Sequence, residues 1–73
     1  MISRQRLRNK LLELGFGFSL RTKRVEVHKL KGSTKRLELT HHKEFSDQYV
    51  RIILKQAGMK SEDIEKFVGE EHR

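Results

Sequence analysis

Leu7, Leu11 and Leu14 recur at helical spacing behind Ser3, with Leu12 widening the stripe. Ser3 has the chemistry of an N-cap, Ile2 and Leu7 stand at the positions of a hydrophobic staple, and Gly15 suits a C-terminal stop. The spacing predicts a first helix over about 4–14. From Phe16 the period changes to two, with Phe16, Phe18 and Leu20 alternating with Gly17 and Ser19. The phase breaks across 21–24 and restarts at Val25 and Val27, as at a turn between two strands. Lys31-Gly32-Ser33-Thr34 reads as a second turn, and Leu37 and Leu39 form a third alternating run. The pattern predicts an antiparallel meander near 16–21, 24–30 and 35–41. Ser46 then caps a helix whose inward stripe is Val50, Ile53, Leu54 and Ala57. Gly58 is its stop, and Met59 stands where a Schellman motif places its contact with Leu54. Ser61 is read as the cap of a last short helix with Ile64, Phe67 and Val68 inward, and the tail is expected to fray after Val68.

These elements predict an α+β fold of order α-β-β-β-α plus a short C-terminal helix. A three-stranded antiparallel sheet is covered on one face by helices, in a single domain over 1–73. Val25 and Val27 are expected to share the core face with Leu37 and Leu39, so the alternate residues line the open face. Those are Arg24, Glu26 and His28 on the middle strand and Arg36, Glu38, Thr40 and His42 on the last, with Arg21 and Lys23 in the connecting turn.

Composition gives that face a partner class. The 73 residues carry 17 Lys and Arg against 10 Asp and Glu, a formal charge of +7. Residues 1–36 hold eleven basic and two acidic side chains, and residues 37–73 hold six basic and eight acidic. A polyanion, nucleic acid before a membrane surface, is the expected partner of the N-terminal half. There is no cysteine, which excludes disulfides, thiolate metal sites and a cysteine nucleophile. The chain shows neither a signal-peptide apolar stretch nor a spanning run, so the expectation is a cytoplasmic protein.

Two imidazoles, two carboxylates and several fixed cations on one face suit metal-independent RNA cleavage. In that reaction a base near neutrality takes the 2′-hydroxyl proton, an acid protonates the leaving 5′-oxygen, and a cation steadies the phosphorane. The candidates are His28, Glu26 and His42 for proton transfer, and Arg21, Lys23, Arg24 and Arg36 for RNA phosphates. A mixed-charge, solvated strand face accounts for the same residues without catalysis. His28, His42, Glu26 and Glu38 match no recognised zinc spacing, and no metal or other cofactor is expected. His41 and His42, adjacent at a strand end, point to opposite faces. His72 is placed in a solvated tail. Tyr49 is read as covering the core edge.

Ile53-Leu54-Lys55-Gln56-Ala57-Gly58-Met59 resembles the C-terminal signature of HicA-type toxins, small basic ribonucleases of toxin–antitoxin modules. The similarity extends to the Leu-rich first helix ending in Gly15-Phe16, the basic run after it, the alternating strands, and His42 after the last strand. Together the matches span most of residues 3–68. The resemblance implies a fold similar to a double-stranded-RNA-binding domain, mRNA as the target, and a HicB-like antitoxin protein as partner. The family carries Gly-Ser-His at the start of its second strand, with the histidine catalytic. This chain has Arg24-Val25-Glu26-Val27-His28 there, so the catalytic position falls on Glu26 or Val27. The Pro before the final histidine is replaced by Thr40 and His41. Three outcomes stay open: His28 has taken over, Glu26 acts as base, or cleavage is lost and RNA binding remains. Two other readings stand beside the toxin: a non-catalytic nucleic-acid-binding module, and a protein-interaction module whose basic half meets an acidic partner.

Overall fold

A computed structural model describes residues 1–71 of the chain, so His72, expected in the tail, lies outside the described residues. The fold is α+β. A short strand β1 (Ile2–Ser3) leads into helix α1 (Arg4–Glu13), and strands β2 (Phe16–Arg21), β3 (Val25–Leu30) and β4 (Arg36–Thr40) follow. Strand β5 (Glu44–Phe45) precedes helices α2 (Asp47–Gln56) and α3 (Ser61–Glu70). The meander is antiparallel in the order β2-β3-β4, as the two alternating-phase breaks predict.

Each helix boundary has a chemical cause. Ser3 Oγ accepts from the Arg6 amide at 3.2 Å and Ser46 Oγ from the Tyr49 amide at 3.2 Å, satisfying amides that have no partner within the helix. Gly58 ends α2 at φ 97°, where a side chain would be strained. Its amide donates to Lys55 O at 3.0 Å and the Met59 amide to Leu54 O at 3.1 Å, the paired bonds of a Schellman motif.

α3 departs from the expectation. Lys60 is its N-cap, with no side-chain cap bond, and Ser61 is already helical. Glu62 and Asp63 in the first turn complement the positive end of the helix dipole instead. The helix runs to Glu70, two residues past Val68, where fraying was expected. Arg6 donates to Glu71 at 2.6 and 2.8 Å and so ties the end of α3 to α1. Arg51 donates to Glu65 at 2.8 and 3.1 Å and ties α3 to α2.

The core lies between the helices and one face of the meander. Leu7 and Leu11 of α1, Val50, Ile53 and Leu54 of α2, and Ile64 and Val68 of α3 close over Phe16, Leu37 and Leu39. The pairing of β1 with β5, Ile2 opposite Phe45 and Ser3 opposite Glu44, is additional to the predicted elements. Two residues per strand are too few to show a period, and the buried Ile2 and Phe45 read equally well as staple residues. Among the described residues, no helix is long and apolar enough to cross a membrane.

Candidate nucleic-acid interface

The strand register moves Glu26 and His28 off the open face. Residues directly opposite in an antiparallel pair share a face. Glu26 is opposite Leu39 and His28 opposite Leu37, so both face the helices, while Val25 and Val27 lie on the opposite face with Thr40 and Glu38, where Val27 is nonetheless buried. The expected face was therefore inverted on β3. Leu30 carried the missing signal: it shares the phase of Glu26 and His28 and packs against the core. On the adjoining strand, a bulge between Phe18 and Leu20 switches faces, leaving Phe18 opposite His28 and Leu20 opposite Val27.

Buried beneath α1, Glu26 and His28 are 4% and 2% exposed. Glu26 Oε1 lies 3.4 Å from His28 Nε2, at the long end of hydrogen-bond range, and the geometry suits an Nε2–H donating to the carboxylate. Glu26 Oε2 lies 4.0 Å from Arg4 Nη1. A buried carboxylate needs such partners, because leaving water unpaired is costly. The exposed Phe18 ring meets the imidazole edge-on at 5.8 Å, and the Arg8 guanidinium sits 5.9 Å from its centroid.

Arg4 and Arg21 bracket Glu26, the first from α1 and the second from its paired position on β2. Beyond them is the β2–β3 turn, where Thr22 Oγ1 accepts from the Arg24 and Val25 amides at 3.2 and 3.1 Å. This side-chain clamp holds Lys23 and Arg24 outward, both exposed. The segment after β4 reaches the same end: His41 Nε2 donates to Thr22 O at 2.8 Å, and the Arg4 amide donates to Lys43 O at 2.7 Å. His41 Nδ1 is buried with no hydrogen-bond partner. Arg4, Arg21, Lys23, Arg24 and Lys43 thus converge on one end of the sheet from three separate parts of the chain.

Other cations are placed elsewhere or engaged. Arg36 pairs opposite Lys29, at the far end of β3 from Val25. Four strand steps separate those ends by about 13 Å, so Arg36 does not join Arg21, Lys23 and Arg24 on one patch as expected. Arg6 is held above its ordinary pKa by hydrogen bonds to Glu71 and by that residue's charge. Arg51 is raised first by its hydrogen bond to Glu65, with burial opposing. Both forks are already filled by carboxylates.

His42 stands apart from Glu26 and His28. β4 ends at Thr40, so the two following histidines sit in a bend and strand alternation does not govern them. The His42 ring packs edge-on to Phe45 at 6.5 Å, beside a hollow of about 400 Å³ lined also by Met1, Thr40, Glu44 and Tyr49. Tyr49 stacks on Phe45 at 4.8 Å and covers the core edge, as its position suggested. Glu38 faces away from Glu26 and His28, so the four-residue zinc set is not assembled. Among the described residues, no group of three or more His, Cys, Asp or Glu is placed to hold a metal ion. No family model, curated protein or solved structure matches the chain.

Proposed function

We propose that this chain is a HicA-like RNA-binding protein whose basic end holds RNA phosphates. One observation carries the reading: Arg4, Arg21, Lys23, Arg24 and Lys43 meet at one end of the sheet, around the turn that Thr22 and His41 fix. Arginine matches phosphate oxygens in two-pronged geometry, and a turn already held in place meets a polyanion without first ordering its backbone. The resemblance extends the proposal to mRNA as target and a HicB-like antitoxin as partner. Titrating labelled protein with single-stranded oligouridine tests it. Amide shifts at Thr22–Arg24, Arg4 and His41 are expected, and shifts confined to α2 and α3 would overturn it.

Cleavage is the second reading, favoured by the contact between Glu26 and His28. A carboxylate fixing one imidazole nitrogen leaves the other for proton transfer. At 2% exposure, however, His28 meets a phosphodiester only if its cover moves. Binding without cleavage is therefore what the folded geometry supports best. RNA cut in the presence of EDTA by the native chain, and not by His28→Ala, would establish the second reading. Growth arrest on induction that depends on His28 would establish it in cells.

A further inference from the structure

The two edges of the meander are treated differently. On β4 the Tyr49 hydroxyl accepts from the Thr40 amide and donates to Glu38 O, both at 3.4 Å, so α2 covers the outward-facing backbone there. On β2 the parity follows from β3. The Leu30 amide donates to Lys35 O, toward β4, and the Lys31 amide donates to Gly15 O, toward β2. Gly17 and Lys29 are therefore the bonded pair between β2 and β3, and the N–H and C=O of Phe16 and Phe18 point to the open edge.

That edge has two chemically distinct flanks. On the helix side lie the exposed side chains of Leu12 and Phe18, 61% and 51% accessible. On the other side are Lys29 and Lys31, and Lys29 passes Gly17, where even an added Cβ would touch nothing within 4 Å. Together they line an open hollow of about 530 Å³ along the strand. A strand's side chains alternate between faces, so one added here would present alternate residues to these two flanks.

We infer that the free edge of β2 takes an extended segment of a partner protein as a further strand. The segment alternates apolar residues, set against Leu12 and Phe18, with acidic ones set against Lys29 and Lys31. Main-chain hydrogen bonds supply the affinity, and the two flanks supply the specificity. Charge selects this occupant over a second copy, since pairing β2 with itself brings the two lysine flanks of a +7 chain together. The bulge after Phe18 keeps the docked segment short. This site is separate from the basic end and does not depend on RNA binding.

The probe is a short synthetic peptide alternating valine and glutamate, titrated into backbone-labelled protein. Amide shifts and slowed hydrogen exchange are expected at Phe16 and Phe18. An otherwise identical peptide, N-methylated along its bonding edge, is expected to bind about tenfold more weakly. Phe18→Ala removes the ring and keeps the N–H, whereas Phe18→Pro removes both and suits an edge strand. The proline variant is expected to bind about tenfold more weakly than the alanine variant. If it does not fold, the methylated peptide decides. The proposal is overturned by absence of shifts at Phe16 and Phe18, by equal binding of the methylated peptide, or by shifts at these amides with protein concentration alone. Oligouridine shifting these amides where the peptide does not would equally overturn it, whatever happens at Thr22–Arg24.

Discussion

Glu26 Oε1 and His28 Nε2 lie 3.4 Å apart, two positions from each other on β3 and both buried on its helix-facing side. Removing either group leaves the other buried and short of a partner, at a cost of about 1–3 kcal/mol. Replacing both removes the need along with the partner. A double-mutant cycle of Glu26→Ala and His28→Ala, followed by urea unfolding, is expected to show coupling of about 0.5–3 kcal/mol. Simple additivity would mean that the two side chains are independent.

The serines separate capping from mere position near a helix start. Ser3→Ala and Ser46→Ala should each destabilise by about 1 kcal/mol, because each hydroxyl accepts from an orphan amide. Ser61→Ala should fall within about 0.5 kcal/mol of the native chain, since Ser61 sits inside α3 and caps nothing. Thermal or urea unfolding of the three variants gives the comparison. Equal losses at Ser46 and Ser61 would contradict the observed start of α3.

Two glycines should respond in opposite directions to alanine. Gly58 has φ 97°, so Gly58→Ala is strained by the backbone and should lose about 1–2 kcal/mol, although the nearest neighbour, Lys35 Nζ, is 3.8 Å from the added carbon. Gly17 has an ordinary strand conformation and free space around it, so Gly17→Ala should gain up to about 1 kcal/mol. Urea midpoints measure both, and a loss at Gly17 would show that the added methyl meets an obstacle at the β2 edge.

Legibility followed signal strength. α1 and α2 were readable because each joins a serine cap, an apolar stripe and a glycine stop, and the three strands because their phase breaks coincide with turns. The face of β3 was not, because Val25 and Val27 make an alternation as good as that of Glu26, His28 and Leu30. Only the register against β4 decides between them, and it puts a carboxylate and an imidazole where apolar residues were expected. The basic end was half legible. Arg21, Lys23 and Arg24 are neighbours in sequence, but Arg4 and Lys43 join them only through the Glu26 contact and the bond from the Arg4 amide to Lys43 O. Arg36 was grouped with them from strand phase alone, which says nothing about position along the strand.

The most direct test of RNA binding at the basic end is the salt dependence of oligouridine affinity, read by fluorescence anisotropy. It compares the native chain, the Arg21→Ala, Lys23→Ala, Arg24→Ala triple variant, and Arg36→Ala. Each lost phosphate contact on a single strand lowers the slope of log K against log salt by about 0.7. The triple variant should therefore lose about 2 from the slope, while Arg36→Ala should keep the native slope. A native chain that does not bind, or a triple variant whose slope equals the native one, would contradict RNA binding through this end of the sheet.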